Sequence, residues 1–187
     1  MMCFLTLGLA LSLLTSDPKA DILAAAEKRD ADAMIRIAKQ WVKDEPKNAE
    51  ARMLEAFALA SDYDINSKSF GYKERNERMT KVEGVIGEAL DISQGAECIF
   101  EWTPQIYEKM NEYTDDMVPA IRTGAANWPK SKAVRRASWH YLNALVAKGK
   151  RRYADDLILQ ANALLEMDPN DGDVLESRAN CYEYNDN

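Results

Sequence analysis

The sequence predicts an all-α fold, in which three to four antiparallel helix pairs stack into an α-α superhelix, or solenoid. The first observation is an apolar face between Tyr153 and Leu165, where hydrophobic side chains recur at helical spacing. The second is a break that occurs three times: a proline ends one helix, and two positions later a polar residue can cap the next. The prolines of these breaks, Pro46, Pro129 and Pro169, are separated by 83 and 40 residues, and a period of about forty residues is typical of helical solenoids.

The composition is that of a single globular domain. Of the 187 residues, 47% are hydrophobic and 29% are charged, which suits an ordinary buried core and excludes a disordered chain. The net charge of −7 disfavours binding to nucleic acid, because the phosphate backbone repels an acidic protein at long range. Prolines and glycines fall mostly between the helical segments, and no run of alternating β-branched residues indicates a strand.

The segment Met1–Leu14 is an uninterrupted run of apolar and small residues. It is too short to cross a bilayer, which takes a helix of about 20 residues, so no stable membrane span is predicted. Its length is that of the apolar core of a secretion signal. We therefore predict a secretion signal at residues 1–20, with Ser16 or Ala20 as the last residue removed, and a helical repeat domain at residues 21–187. The signal predicts a periplasmic or secreted protein; the alternative is a buried first helix.

Amphipathic helices are predicted along the remainder of the chain. Asn48 and Ser131 precede helical patterns as capping residues, and Gly149 ends the helix before it. Gly84 and Gly87 interrupt the longest pattern, and each costs up to about 1 kcal/mol relative to alanine unless close packing needs a glycine there. The predicted helices are, in order, Ala20–Lys28, Ala31–Asp44, Ala49–Ala60, Lys73–Ile92, Pro104–Tyr113, Asp116–Asn127, Ser131–Lys148, Tyr153–Asp168 and a final helix from Asp171.

The segment from Ser61 to Tyr72 breaks the helical pattern and predicts the longest loop of the chain. It is polar and carries three aromatic residues, Tyr63, Phe70 and Tyr72. Aromatic side chains exposed on loops are common in recognition, which favours a binding insertion. The alternative is that the aromatic rings fold back and cover the end of a helix.

The last full unit resembles a tetratricopeptide repeat. Its segments Ala144–Gly149, Tyr153 and Leu164–Asn170 are similar to the family's pattern of a small residue and a glycine, a tyrosine, and the closing A-L-x-x-D-P-N. The resemblance implies stacked antiparallel helix pairs that bind peptides or other proteins, and it does not imply catalysis. An earlier unit offers further matching positions, which are Ala38, Trp41, Pro46, Ala49, Glu50, Ala51 and Ala56.

The resemblance also predicts a peptide-binding site. In the family the first helix of each pair lines a concave groove, and in the best unit these positions fall on Arg136, Trp139 and Asn143. A cation, an aromatic ring and an amide on one stripe would hold an acidic or C-terminal peptide, the arginine pairing with carboxylates in bidentate fashion. The alternative is a solvated basic face with Trp139 packed against a neighbouring helix. Eight basic residues and no acid lie between positions 130 and 152, whereas acids dominate from position 168 onward.

Catalytic and cofactor chemistry have little support in the sequence. His140 is the single histidine, which excludes a metal site built from several histidines, and no cofactor is predicted. A nucleophile pair of Cys98 and His140 is conceivable, but a lone thiol among apolar residues is more often a packing residue. If the first segment is removed, Cys98 and Cys181 remain, and a disulfide between them is a further prediction for an oxidising compartment.

Together these observations predict a non-catalytic adaptor or scaffold that is exported to the cell envelope and binds a protein or peptide through its concave groove. Two alternatives stay open. One is a helical envelope hydrolase that uses paired carboxylates as acid and base. The other is a structural assembly subunit that stacks on itself, although the polar final helix is typical of a soluble cap.

Overall fold

The computed structural model describes residues 17–185, with side chains described through residue 182. Within this range the chain forms nine α-helices and two short 3₁₀ turns, and it contains no β-strand. The predicted all-α fold is therefore confirmed. The helices are α1 (Pro18–Glu27), α2 (Ala31–Asp44), α3 (Ala49–Asn66), α4 (Tyr72–Ile92), α5 (Glu97–Lys109), α6 (Met117–Asn127), α7 (Lys132–Ala147), α8 (Ala154–Met167) and α9 (Gly172–Asn185), and the 3₁₀ turns are Ser67–Ser69 and Arg151–Tyr153.

The helices pack as consecutive pairs, α1 with α2, α3 with α4, α5 with α6 and α7 with α8, followed by α9. The first helix of each pair also contacts the first helix of the next pair, so that α1, α3, α5 and α7 form a continuous row. We call these four the first helices and α2, α4, α6 and α8 the second helices. This two-layered stack is the superhelix of helix pairs that the proline breaks predict.

Each predicted break begins a helix with a side-chain cap. The Asn48 side-chain oxygen accepts the backbone N–H groups of residues 50 and 51 at 2.9 and 3.1 Å. The Ser131 hydroxyl accepts the N–H of Val134 at 3.1 Å, and Asp171 accepts that of Val174 at 3.3 Å. These bonds satisfy donors that have no partner inside the first turn of a helix. Gly149 ends α7 with φ of 90°, a left-handed conformation that glycine adopts at little cost.

The buried apolar side chains form two clusters. The N-terminal core is supplied by α1 to α5, and the C-terminal core by α6 to α9. At the centre of the N-terminal core, every residue of α3 from Met53 to Ser61 is buried, because α3 is covered by α1, α2, α4 and α5. The two cores meet where α5 packs against α6 and α7.

The predicted loop at 61–72 is wrong, because most of this segment is helical. Helix α3 continues to Asn66, a 3₁₀ turn follows, and α4 begins at Tyr72. Side-chain hydrogen bonds support the polar helix end: the Asn66 amide donates to Asp62 Oδ1 at 2.7 Å. Of the aromatic residues, Phe70 packs 6.4 Å from the ring of Tyr63, and Arg78 lies 3.9 Å from the Phe70 ring centre. These two rings therefore cover a helix end, as the alternative interpretation has it, whereas the third, Tyr72, is 82% exposed.

Helix α5 begins seven residues before its predicted start, so that Pro104 lies inside the helix and not in its first turn. A proline at this position cannot donate a hydrogen bond to the preceding turn. Neighbouring side chains bond to carbonyl groups of that turn: the Thr103 hydroxyl donates to the Ile99 carbonyl at 2.6 Å, and the Gln105 amide donates to the Glu101 carbonyl at 2.9 Å. With these contacts in place, helix α5 continues through Pro104 without interruption.

The predicted secretion signal falls mostly outside the described residues, which begin at Asp17. Its last residues, 18 to 20, form the first turn of α1, where Asp17 caps the helix by accepting the Lys19 N–H at 3.0 Å. The Lys19 ammonium lies 2.6 Å from a Glu50 carboxylate oxygen and 3.7 Å from one of Glu101. No helix among residues 17–185 is both long and apolar enough to cross a bilayer.

Candidate functional site

The exposed side of α7 carries a polar stripe formed by Arg136, His140 and Asn143. These residues are spaced by four and three positions, which places them on one side of the helix. Trp139 lies three residues after Arg136 on the same side of the helix, but α9 covers it: it is 3% exposed, and its indole N–H donates to the Ser177 hydroxyl of α9 at 2.8 Å. The structure thus brings Arg136 and Asn143 together on the surface and places His140, which the sequence analysis did not assign to the site, between them.

Arg136 already has a carboxylate partner. Its guanidinium forms an ion pair with Asp171, the residue that caps α9, and lies 5.4 Å from the Trp139 ring centre. The hydrogen bond from Arg136 lowers the pKa of Asp171. An acidic ligand that reaches Arg136 therefore competes with Asp171, in a position where the buried indole supports the guanidinium.

His140 is the central residue of this stripe. Its ring lies edge-on to Trp139 at 4.7 Å. Packing lowers the pKa of His140 although the side chain keeps an exposed surface, and the Glu108 carboxylate of α5 acts in the opposite direction. The imidazole is therefore neutral at pH 7 and offers one hydrogen-bond donor and one acceptor. We call the surface formed by Glu108, Arg136, His140 and Asn143 the inner face.

The basic segment between positions 130 and 152 is largely engaged in contacts within the chain. Lys132 lies 3.4 Å from Asp168, and Lys150 lies 3.0 Å from Asp115, which also pairs with Arg152. Arg135 is buried. The separation of basic and acidic residues along the sequence is thus explained in part by ion pairs between neighbouring helices and loops, and the segment does not form a free basic surface for docking.

Arg135 is a buried cation whose three hydrogen-bond acceptors are neutral. Its guanidinium donates to Gln160 Oε1 at 2.7 Å and to the carbonyl oxygens of Ala125 and Pro129 at 3.1 and 3.3 Å. Burial lowers its pKa. Since Ala125 lies in the last turn of α6, the positive charge is placed at the negative end of that helix. Arg135 therefore holds α6, α7 and α8 together and is not available to a ligand.

Glu50 and Glu101 are a pair of neighbouring carboxylates, and Lys19 binds both. Burial raises the pKa of Glu101, while Lys19 opposes that shift. Because both carboxylates bind the same cation, this cluster is an ion-pair network, in which the Lys19 charge favours the ionised form of Glu101. Among the described residues there is also no group of three or more histidine, cysteine or acidic side chains that could hold a metal ion.

The two cysteines of the described chain are free thiols in different cores. Cys98 packs against the N-terminal core, and Cys181 is buried in the C-terminal core. The predicted disulfide between them is not formed in this structure. Burial, with smaller contributions from Glu50 and Glu101, raises the pKa of Cys98 to about 11, so the thiol is protonated at neutral pH. Cys98 therefore has the environment of a packing residue and not of an activated nucleophile.

A second concave feature, which the sequence analysis missed, lies among α4, α5 and α6. It is an apolar cavity of about 230 Å³ that opens to solvent, and we call it the outer groove. Its position could not be predicted, since it arises where α4 diverges from α5 and both cores contribute to one surface. Side chains that line it include Ile86, Leu90, Phe100, Tyr107, Met117 and Ile121.

Comparison with known proteins identifies the architecture. No protein-family model matches the chain, and no curated protein is similar to it in sequence. Among solved structures, a thermophilic TPR protein of Thermus thermophilus superimposes with a TM-score of 0.67 over 90% of this chain and 83% of that chain, at 14% sequence identity. The chain has a tetratricopeptide-like fold. At this level of identity the similarity concerns the fold alone.

Within the tetratricopeptide-like fold, α7 and α8 form the pair whose residues carry the sequence resemblance, and α7 contributes the polar stripe of the inner face. Helix α9 occupies the place of the first helix of a further pair and closes the surface beside α7 through the Trp139 hydrogen bond. Of the predicted groove residues, α9 therefore covers Trp139 and leaves Arg136 partly accessible.

Proposed function

We propose that this chain is a non-catalytic scaffold that binds a protein or peptide along its inner face. The observation that carries the proposal is the polar stripe of α7, where Arg136, His140 and Asn143 remain accessible on a helix whose other side is buried. Tetratricopeptide-like folds commonly present such first-helix side chains to extended partners. The apolar residues are used to stack the helices, and the inner face supplies polar groups that distinguish one partner from another.

The partner carries an acidic segment or a C-terminal carboxylate. Arg136 is the anchor, because a guanidinium binds a carboxylate through two parallel hydrogen bonds. The partner's carboxylate replaces Asp171, while Asn143 and the neutral imidazole of His140 bond to its backbone. Trp139 acts from beneath, holding the guanidinium in place without contacting the partner.

The protein is exported, and the first segment directs it to the periplasm or the outside of the cell. Removal after Ser16 is favoured over removal after Ala20, because the later position would delete Lys19 and leave Glu50 and Glu101 without their shared cation. Mass spectrometry of the protein recovered from outside the cytoplasm tests this. A mature chain that begins at Asp17 supports the proposal, and a chain that retains Met1 in every fraction refutes it.

Binding of fluorescent acidic peptides with free C-termini, measured by polarisation, tests the inner face. Arg136→Glu should weaken binding about tenfold or more, because it replaces attraction with repulsion. Asp171→Asn should tighten binding, since asparagine still caps α9 but no longer occupies Arg136. The control is Lys39→Glu, which makes the same charge change on the exposed surface of α2. Equal affinities for the wild type and Arg136→Glu would refute the assignment of the site.

A further inference from the structure

The outer groove is lined by different residues from those of the inner face. Its floor contains Ile86 from the N-terminal core and Ile121 from the C-terminal core, so it follows the seam between the two. Helices α4 and α5 contact each other only sparsely, which leaves the seam open. Its lining is apolar except for a few groups such as Gln94 and Thr103.

Part of this apolar lining remains accessible. Leu90, Phe100 and Tyr107 are only half-buried, although they lie beside fully packed core residues. Gly124 fixes the groove wall, because a methyl group at that position would lie 2.8 Å from the Cβ of Phe100 and push α5 and α6 apart. Covering these side chains would remove apolar surface from water, which is the main favourable contribution to docking.

One part of the groove is acidic. Glu83 lies three residues before Ile86 and seven before Leu90 on α4, which places it on the same side of the helix as these lining residues. Glu112 follows α5, five residues after Tyr107, which also lines the groove. Burial raises the pKa of Tyr107, and the two carboxylates raise it further. A ligand that fills the groove with apolar side chains therefore meets negative charge beside Tyr107, where a cation is favoured and a carboxylate is repelled.

We propose that the outer groove binds an aliphatic segment of a partner protein in which a lysine or arginine follows the apolar residues. The aliphatic side chains occupy the seam beside Leu90 and Phe100. The cation lies beside Tyr107, where the carboxylates of Glu83 and Glu112 attract it. The inference is independent of the proposed inner-face function, because the two surfaces share no residue.

Two synthetic peptides test the proposal on the purified mature chain. One carries Leu-Ala-Ala-Leu followed by Lys-Lys, and its twin ends in Glu-Glu, both labelled with fluorescein at the N-terminus. The lysine peptide should bind about tenfold or more tightly than its twin, because the acidic part of the groove attracts one and repels the other. Glu83→Gln combined with Glu112→Gln should reduce that preference to about threefold or less.

A pair of substitutions on α6 locates the binding. Ala120 is exposed and lines the groove, so Ala120→Phe should fill it and weaken binding of the lysine peptide about tenfold or more. The control is Ala126→Phe on the exposed surface of the same helix, and Arg136→Glu serves as the control for the inner face. Both should leave the affinity unchanged.

Three results would overturn the proposal. The first is equal binding of the lysine peptide to the wild type and to Ala120→Phe. The second is equal affinity for the two peptides. The third comes from sedimentation: a wild-type dimer that Ala120→Phe converts to a monomer would show that a second copy of the chain covers the groove. None of these results depends on the inner face, whose failure would appear only in the acidic-peptide assay.

Discussion

The N-terminal and C-terminal cores are built from the same helix-pair unit, but different interactions hold their helices together. The N-terminal core is larger and depends on a central helix, α3, that four other helices cover. The C-terminal core is smaller and contains several buried polar side chains. Its helices meet through hydrogen bonds of Arg135, Trp139 and Tyr141 as well as through apolar contact.

The comparison shows what apolar burial and buried hydrogen bonds each contribute to the fold. Apolar burial is strong but not directional, so a helix such as α3 is held by the number of its neighbours. A buried hydrogen bond adds little net stability, yet leaving one partner unpaired is costly, so it favours one arrangement of the helices. The Tyr141 hydroxyl illustrates this, since it donates to the Glu112 carbonyl at 2.8 Å and accepts the Thr114 N–H at 2.9 Å. It thereby fixes the segment between α5 and α6, next to the inner face.

The largest expected effect comes from a substitution that disrupts the N-terminal core. Phe57 of α3 is 6% exposed and packs 5.1 Å from the Trp102 ring, so Phe57→Ala should lower the free energy of unfolding by about 3–5 kcal/mol. Leu159 of α8 is 58% exposed, and Leu159→Ala should change that free energy by less than about 0.5 kcal/mol. Urea unfolding followed by circular dichroism measures both. A similarly small loss of unfolding free energy in both variants would contradict the central role of α3.

The second prediction concerns the buried polar contacts of the C-terminal core. Arg135→Met keeps the apolar stem but removes three hydrogen bonds to neutral acceptors, and it should cost about 2–4 kcal/mol. Gln160→Leu leaves the guanidinium without its side-chain acceptor and should cost about 1.5–3 kcal/mol.

Combining the two substitutions sharpens the comparison. The double variant should lose less than the sum of the single losses, because an apolar pair leaves neither polar partner buried and unsatisfied. The same urea measurements on all four proteins complete a double-mutant cycle. Strict additivity would show that Arg135 and Gln160 act separately, and that the polar interactions are not coupled as proposed.

Glycines test how closely the helices approach at the seam between the cores. A methyl group at Gly124 would lie 2.8 Å from the Phe100 Cβ, so Gly124→Ala should destabilise the fold by about 1–3 kcal/mol. A methyl group at Gly84 of α4 meets no atom within 4 Å, so Gly84→Ala should stabilise it by up to about 1 kcal/mol. Thermal unfolding of the two variants measures the difference. The reverse order would mean that α5 and α6 are more widely spaced than the structure has them.

The predictable parts of the fold are those that local chemistry determines. Asn48 and Ser131 could be assigned as caps because a cap bonds to its own next turn. The end of α3 and the start of α5 were missed because local polarity and Pro104 disfavour helix, whereas tertiary packing and nearby side-chain hydrogen bonds support it. The sequence left Trp139 either in the exposed stripe or packed against a neighbouring helix, and it could not decide between the two because the position of α9 depends on contacts far along the chain.

The smallest effect, the response to pH, differs in sign between the two cores. Burial raises the pKa of Glu101, so the folded protein binds that proton more tightly than the unfolded chain does. This group therefore adds stability as the pH falls through the folded pKa toward the unfolded one. Arg136 lowers the pKa of Asp171, whose contribution is present above the unfolded pKa and is lost as the pH falls through the folded value.

Unfolding midpoints in urea between about pH 3 and 6, a range that brackets the unfolded pKa values of the carboxylates, measure both contributions. Asp171→Asn should lose less stability than the wild type on acidification, since it no longer has a carboxylate to protonate. Glu101→Gln should lose more, because it lacks the group that favours the folded state in acid. If both variants shifted in the same direction, the two carboxylates would have similar environments. The contrast between the cores would then be confined to their neutral contacts.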